Sequence, residues 1–358
     1  MHVVVMAGGS GTRFWPVSRQ ARPKQFLNIT GGQPMVVETC DRVTSLVSDE
    51  EIILIVGREH LNETKTLFKG RDVHILAEPV GRSTAACIGL GAVYAAHLGC
   101  QRPVVFMPAD HFIAKPAAFV ESLKQASEIA SSEAIVTLGI VPTRPETGYG
   151  YIQWKEERPD FWKQKAYRVV AFVEKPTTDK AKQYMLRGDY LWNAGIFVAT
   201  PKTILKALER YLPPVHQGMM RLVSAFGAGG FENQLEVVYE KLESISFDYG
   251  VMEKIEDAVF VVPCDCGWSD VGSWESLFEL REAEQDENGN FREGECMLID
   301  CKKSFVSSRG GKMISCLGLK NCLVVDTQDA LLVADMKKSQ EIRRITEQLK
   351  LKRRNDLF

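Results

Sequence analysis

The chain has 358 residues, a formal net charge of −2 at pH 7 and 45% hydrophobic residues. This length predicts one large domain with a smaller one, or two domains, and a sizeable buried core. A nearly neutral chain has no global basic field, so we expect neither a nucleic-acid partner nor a charged membrane surface. No apolar run approaches the roughly 20 residues that a membrane-spanning helix needs.

The cysteines and the first residues point to a compartment. Nine cysteines are scattered along the chain, an odd number that is typical of a reducing environment rather than a disulfide framework. The chain starts directly with a strand-like run, without the basic and long apolar segments of a secretory signal. We therefore expect a cytoplasmic protein.

The first 27 residues combine a strand pattern, a glycine-rich loop and positive charge. Residues 2–7 (HVVVMA) form a short apolar run rich in β-branched residues, followed at once by GGSGT. Glycines let backbone N–H groups approach a ligand closely, and Arg13 and Lys24 add fixed charge nearby. The spacing fits neither a Walker A loop nor a dinucleotide fingerprint. The stretch predicts either a polyphosphate cradle or a simple glycine turn between a strand and a helix.

Strand and helix patterns alternate through the next 115 or so residues. Apolar runs at 51–56, 73–78, 103–107 and 135–141 predict buried strands, separated by predicted helices at 34–47, 58–69, 84–98 and 117–130. Such alternation indicates an α/β fold with a Rossmann-like, mostly parallel sheet covered on both faces. Because ligands bind at the carboxyl ends of such strands, we expect the loops after Ala7, Glu78 and Met107 to meet at one crevice.

The second half of the chain has a different character. Longer strands are predicted at 149–154 and 167–174 with a charged hairpin at 155–165 between them. Helices follow up to residue 284, interrupted by predicted strands at 192–199 and 258–263. A polar, turn-rich stretch at 284–295 predicts a linker before five short strand-like runs. We therefore predict a first domain at 1–284 and a small β-module with a terminal helix at 285–358. The apolar stripe of that helix fits packing within its own domain or against a second subunit, which leaves a homodimer open.

The string GGSGTRFWPVSRQARPKQFL resembles the signature of the sugar-nucleotide pyrophosphorylases, a family of nucleotidyltransferases, and its PKQFL ending is most similar to the mannose-1-phosphate guanylyltransferases. This resemblance implies a nucleotidyltransferase domain with a small β-helix-like module at its C-terminal end. It also implies that Arg13 and Lys24 are catalytic, and that the first loop binds the nucleotide through Ala7, Gly8, Gly9, Gly11 and Thr12.

Two aspartates are candidate metal ligands. Asp110 follows a predicted strand in VVFMPADHF, where a carboxylate suits Mg²⁺, although a helix cap or a turn is the other interpretation. Asp270 lies in GWSDVGSW, before a predicted helix that it would otherwise cap. Both strings resemble the metal-aspartate motifs of the family, which implies that Asp110 and Asp270 hold Mg²⁺ and take part in catalysis.

A second set of residues is expected to bind the sugar phosphate. Lys175 offers a compact positive charge and Glu174 an acceptor for sugar hydroxyls, although a surface ion pair before Pro176 would use the same residues. The strings FVEKP and WNAGIF resemble family motifs, which implies sugar contacts for Glu174, Lys175 and Asn193. Gly148 should allow close approach of the sugar, and Asp248 fits either a sugar contact or a helix cap.

The loop that begins at Glu78 should face the base. Guanine presents N1–H and an amino group side by side, and a carboxylate such as Glu78 can accept from both. Ser83 stands where many guanylyltransferases have Asn, so the contacts that choose the base stay open.

We expect an enzyme that forms GDP-mannose and pyrophosphate from GTP and α-D-mannose 1-phosphate with Mg²⁺. One alternative is a thymidylyl- or adenylyltransferase acting on glucose 1-phosphate. Another is a catalytically silent regulator that binds a nucleotide sugar, against which the presence of both cations and both aspartates argues.

Overall fold

The computed structural model describes residues 1–9, 11–156, 166–226, 230–254, 258–354 and 356–357. The charged hairpin predicted at 155–165 lies, from residue 157 onward, outside the described residues.

Strands and helices alternate in the first part of the chain, as the apolar periodicity predicts. The elements in order are β1 (His2–Ala7), α1 (Met35–Asp41), β2 (Ile52–Gly57), α2 (Leu61–Leu67), β3 (His74–Glu78), α3 (Ser83–His97), β4 (Val104–Pro108), β5 (Phe112–Ile113), α4 (Pro116–Ala130), β6 (Ile135–Ile140) and β7 (Tyr151–Lys155).

Helices dominate the middle of the chain, and short strands dominate its end. The middle contains β8 (Tyr167–Val173), α5 (Thr178–Arg187), β9 (Tyr190–Ala199), α6 (Pro201–Tyr211), α7 (Pro213–Ala225), α8 (Phe231–Lys241), β10 (Val259–Pro263), β11 (Trp268–Ser269) and α9 (Trp274–Leu280). The end contains β12 (Phe291–Glu293), β13 (Cys296–Ile299), β14 (Phe305–Ser308), β15 (Ile314–Leu317), β16 (Cys322–Asp326), β17 (Leu331–Asp335) and α10 (Arg343–Leu351). The polar stretch predicted as a linker is shorter than expected, because β12 already begins at Phe291.

The chain forms two compact units, each made of separate stretches of sequence. The first, here the sheet unit, consists of Met1–Gly8, Val36–Ala109 and Ile113–Trp268. The second, here the loop unit, consists of Gly9–Met35, Asp110–Phe112 and Ser269–Phe358. The first glycine loop and the end of the chain therefore belong to the same unit.

The sheet unit is built on nine strands in the order β3-β2-β1-β4-β9-β6-β10-β8-β7. Strands β1 to β4 are parallel to one another, and β6 is parallel to β10. Strands β9 and β8 are antiparallel to their neighbours, which makes the sheet mixed. The expected α/β fold is confirmed, and the parallel pairing places the carboxyl ends of β1, β3 and β4 along one edge of the sheet. That the loops after these strands meet at one crevice stays a prediction.

Burial explains why these runs form strands. Val3, Val4 and Val5 are fully buried, as are the five residues of β2 from Ile52 to Val56. Strands covered on both faces have no polar alternation, because each side chain enters the core. Helix α3 packs closely on this sheet, since a methyl group at Gly91 would lie 2.8 Å from the side chain of Val4.

The loop unit contains the small β-helix-like module that the family resemblance implied. Strands β12, β14 and β16 stack in parallel, β13 and β15 form a second parallel pair, and β17 closes the larger sheet in the antiparallel sense. The last predicted helix begins as a 3₁₀ segment at Met336–Ile342 and continues as α10.

One hydrophobic core joins the signature loop to this module within the loop unit. Phe14 lies edge-on to Trp274 at 5.0 Å between ring centroids, and Trp274 lies 5.2 Å from Phe305 of β14. Phe305 in turn stacks on Phe291 of β12 at 4.7 Å. The indole N–H of Trp274 donates to the carbonyl of Trp15 at 3.2 Å. The loop that carries Arg13 therefore packs against the C-terminal strands through Phe14 and Trp274.

Among the described residues, every helix is too short or too polar to serve as a membrane span.

Candidate active site

One position of the glycine loop in the loop unit requires glycine, because a side chain there would clash. Gly11 has φ +49°, and a methyl group there would lie 2.6 Å from the backbone nitrogen of Lys24. The next residues, Thr12–Phe14, form a 3₁₀ turn, and Arg13 on it is exposed. The side-chain amide of Gln25, in the 3₁₀ turn Lys24–Phe26, donates to the carbonyl of Gly9 at 2.8 Å and so links the glycine loop to that turn.

Lys24 joins the two candidate metal-binding loops. Its ammonium donates to the backbone carbonyl of Asp110 at 2.6 Å and to that of Asp270 at 2.6 Å. It also donates to Oδ2 of Asp110 at 3.0 Å. These three acceptors match the three protons of an ammonium group, and the residue is only 4% exposed. Lys24 therefore fixes both aspartates, which lie 160 positions apart in sequence.

The charges around Asp110 keep its carboxyl ionised. Burial raises the pKa of Asp110, but the nearby charges of Lys24, His111 and Arg13 outweigh it, so the pKa lies below its usual value. An ionised carboxylate is what a metal ligand requires. His111, the next residue in the chain, therefore acts on Asp110 electrostatically.

Asp270 lies in a strained turn. Its Oδ1 accepts from the backbone N–H of Gly272 at 3.0 Å, and a methyl group at Gly272 would lie 2.6 Å from its Oδ2. Val271 between them is buried and has φ +44°, a conformation that a β-branched residue adopts only at a cost. Strain of this kind collects at functional sites, where the surrounding structure enforces it.

The chemistry of the two aspartates fits a single Mg²⁺. In the described part of the chain no three or more His, Cys, Asp or Glu side chains form a metal-binding group. Mg²⁺ needs fewer protein ligands than that, because it commonly binds one or two carboxylates and completes its coordination shell with phosphates and water. Asp110 and Asp270 supply hard oxygen donors next to an exposed arginine, Arg13.

In the sheet unit, Glu78 lies at the end of β3 and is 4% exposed. Burial raises its pKa to about 7, and the hydroxyl of Tyr239, which donates to Oε1 at 3.0 Å, opposes that rise. A methyl group at Gly8 would lie 2.8 Å from Oε2 of Glu78, so this glycine lets the Glu78 carboxylate lie close to the backbone that follows β1. The structure thus brings Ala7, Gly8 and Glu78 to one sheet edge, as predicted.

The loop after Glu78 is fixed by side chains that the sequence did not single out. The guanidinium of Arg82 donates to the carbonyls of Tyr239 at 2.6 Å and Glu240 at 2.9 Å. Ser83 has φ +63°, and α3 begins there. The neighbouring Thr84 hydroxyl accepts from the backbone N–H of Phe247 at 2.8 Å. No sequence signal short of the fold connects this loop with residues near 240.

The predicted sugar-phosphate residues also lie together in the sheet unit. Lys175 has φ +47°, is largely exposed and pairs with Glu174. The amide of Asn193 donates to Oδ1 of Asp248 at 2.8 Å. Burial, followed by the charge of Glu174, raises the pKa of Asp248 to about 6.

Two glycines border this group in different ways. The backbone N–H of Gly148 donates to Oε1 of Glu146 at 3.0 Å, on the loop before β7. A methyl group at Gly150 would lie 2.5 Å from Oε2 of Glu174. Gly150 is therefore the glycine that allows close packing here, and the second glycine of ETGYGYI was the signal for it.

Comparison with known proteins shows which family this chain belongs to. The family described as nucleotidyl transferase matches residues 2–287, and the MannoseP isomerase/GMP-like beta-helix domain matches residues 294–349. The chain is 36% identical over 357 residues to the mannose-1-phosphate guanylyltransferase of Klebsiella pneumoniae, which covers 99% of this chain and 74% of that protein. It is also 36% identical to that of Escherichia coli K12, which covers 99% of this chain and 75% of that protein.

A solved structure agrees with these relatives over nearly the whole chain. The protein titled mannose-1-phosphate geranyltransferase from Thermus thermophilus has a TM-score of 0.87 and 35% identity, covering 98% of this chain and 99% of that one. The resemblance read from the signature loop is thus confirmed. The chain belongs to the nucleotidyl transferase family, within the group of the mannose-1-phosphate guanylyltransferases.

Proposed function

We propose that this chain forms GDP-mannose and pyrophosphate from GTP and α-D-mannose 1-phosphate. The names of its relatives support the substrates. The structural observation that supports the chemistry most strongly is the single ammonium of Lys24, which binds the loops of both Asp110 and Asp270.

The reaction needs no nucleophile from the protein. A phosphate oxygen of the sugar phosphate attacks the α-phosphorus of GTP in line and forms the new P–O bond. The bond from the α-phosphorus to the bridging oxygen of the β-phosphate breaks, and its electron pair leaves with pyrophosphate. The attacking group is already ionised near neutral pH, because the second pKa of a phosphate monoester is about 6. Two anions must still meet, so positioning and positive charge supply the catalysis.

In the loop unit, Gly9, Gly11 and Thr12 offer backbone N–H groups to the triphosphate, and Arg13 offers its charge. Lys24 is a positioning residue in this proposal as well as a source of positive charge, because its protons are occupied by Asp110 and Asp270. Asp110 and Asp270 would hold Mg²⁺, which when bound neutralises charge on the phosphate oxygens.

In the sheet unit, Ala7, Gly8, Glu78 and Ser83 bind the nucleoside, with Glu78 accepting from the guanine edge. Lys175 binds the phosphate of the sugar phosphate. Glu174 accepts from the sugar hydroxyls, and Asn193 exchanges hydrogen bonds with them. Asp248 accepts from Asn193 and orients it, and Gly148 lies on the loop that faces the sugar. The close contact of Glu174 with Gly150 supports a fixed position for its carboxylate.

A cytoplasmic location remains part of the proposal. All nine cysteines are free thiols, which is what a reducing compartment maintains. A homodimer is a further prediction, which sedimentation of the purified chain would test.

A pyrophosphate-release assay tests the proposed reaction. GTP, ATP, UTP and dTTP are each paired with mannose 1-phosphate and glucose 1-phosphate, with and without Mg²⁺. Turnover should be greatest with GTP and mannose 1-phosphate. Preference for dTTP or ATP with glucose 1-phosphate would favour the alternative transferase, and binding of GDP-mannose without any turnover would favour the regulator.

A further inference from the structure

Tyr239 contacts the residue that should read the base, although it lies 161 positions further along the chain. It belongs to α8, where Leu235, Val238 and Tyr239 form the buried stripe. Its hydroxyl donates to Oε1 of Glu78 at 3.0 Å, and both side chains are buried. A buried hydrogen bond to a charged acceptor is among the stronger ones in proteins.

The same helix holds the loop that follows Glu78. Arg82 donates to the carbonyls of Tyr239 and Glu240 in the last turn of α8, where the Tyr239 carbonyl also accepts from the backbone N–H of Leu242 at 3.3 Å. Glu78 is thus fixed through its side chain and the loop through Arg82, both to one turn of α8. A shift of α8 would move the Glu78 carboxylate and the loop together.

The groups that face Glu78 differ in which protonation state they favour. Glu59, in the turn before α2, carries a negative charge that raises the pKa of Glu78, as burial does. Cys87 of α3 is a buried thiol whose own pKa is raised, so it stays neutral. Tyr239 donates a hydrogen bond and favours the ionised carboxylate. Gly8 brings only backbone close to Oε2.

Guanine recognition depends on that balance. An ionised carboxylate accepts from N1–H and from the 2-amino group of guanine, but a protonated carboxyl places its own O–H against one of these donors. We propose that Tyr239 is the positioning residue for base selection: its hydroxyl orients Glu78 and keeps it an acceptor for the guanine edge. This inference rests on the proposed function, in which Glu78 contacts guanine.

The test compares GTP with ITP, which keeps N1–H but lacks the 2-amino group, in the full-length chain from pH 6 to 9. In the parent, KM for GTP should fall as pH rises through about 7. Tyr239→Phe should raise KM for GTP about tenfold at pH 7, equivalent to one charged hydrogen bond. It should also move the midpoint of the pH dependence of KM to higher pH and reduce the preference for GTP over ITP. The kcat should stay within about twofold of the parent value.

A purely structural role gives a different result. If Tyr239→Phe raises KM equally at every pH, or leaves the midpoint where it was, the proposal is wrong. Replacing Tyr239 with 3-fluorotyrosine keeps the ring and makes the phenol a better donor, so the midpoint should move to lower pH. Tyr94→Phe is the matched control, because that hydroxyl contacts His74 instead, and it should not move the midpoint.

The Glu78→Gln variant distinguishes the proposed role of Tyr239 from the proposed contact of Glu78 with guanine. If Glu78→Gln still prefers GTP to ITP as strongly as the parent does, Glu78 does not read the base and both proposals on the base fail. If Glu78→Gln loses the preference but Tyr239→Phe keeps the parent's preference and pH midpoint, only the role of Tyr239 is wrong.

Discussion

The carbonyl oxygens of Asp110 and Asp270 each lie 2.6 Å from the same atom, Nζ of Lys24. One ammonium therefore sets the position of two loops that the sequence separately predicts to bind a metal. The proposed catalytic centre depends on this junction more than on any single side chain.

Lys24→Met should uncouple the two loops. The variant leaves two inward-facing carbonyls and the Asp110 carboxylate without their donor, which costs stability as well as geometry. We expect turnover to fall on the order of a hundredfold, as for the loss of one preorganised charge, together with a lower Tm. Exposed Lys182→Met serves as the control. Steady-state turnover within a few-fold of the parent would show that Lys24 lacks this role.

Asp110→Asn and Asp270→Asn test the metal ligands separately. Each substitution keeps the size of the side chain and removes the charge that Mg²⁺ requires. We expect each to raise the Mg²⁺ concentration for half-maximal activity at least tenfold and to lower maximal turnover about a hundredfold or more. Asp265→Asn, at an exposed residue paired with Lys115, should behave like the parent. An unchanged Mg²⁺ requirement in either test variant would remove that residue from the metal site.

Acid should lower the free energy of unfolding, because protonation of Asp110 weakens its contact with Lys24. Because the charges of Lys24, His111 and Arg13 hold the folded pKa below the usual value, the ionised group stabilises the fold above about pH 4. This contribution is lost as pH falls through the folded pKa. Urea unfolding in EDTA should show parent and Asp110→Asn differing most near pH 6 and converging below pH 4. A difference that stays constant over this range contradicts the linkage.

The C-terminal strands should matter for activity, because they share a core with the signature loop. Phe305 packs against Trp274 and Phe291, and Phe14 of the loop lies against the same Trp274. Phe305→Ala should reduce the free energy of unfolding by roughly 3–5 kcal/mol. Turnover should fall at temperatures where the protein is still folded. Leu331→Ala, at a side chain 57% exposed, should change stability by less than about 0.5 kcal/mol. Loss of stability without loss of turnover would show that the module does not support the loop.

Local patterns were sufficient to predict the parallel strands. The runs at β1, β2 and β4 are apolar on both faces, so their burial and their common direction follow from composition and from the alternation with helices. The motif residues at the ends of these strands could be placed at one edge for the same reason.

Long-range packing was beyond the reach of these patterns. Nothing near residue 14 indicates that its ring meets Trp274, and nothing near Glu78 indicates Tyr239. The insertion of antiparallel β9 between β4 and β6 also depends on the whole sheet, because its apolar run would suit either direction. The division of the chain at residues 284 and 285 stays a prediction.

The most direct test of the account is pyrophosphate release by the purified chain with mannose 1-phosphate and each of the four nucleoside triphosphates at saturating Mg²⁺. The account predicts that GTP supports turnover at least tenfold faster than the next nucleotide, and that EDTA abolishes it. Equal rates with all four nucleotides, or release that persists in EDTA, would contradict it.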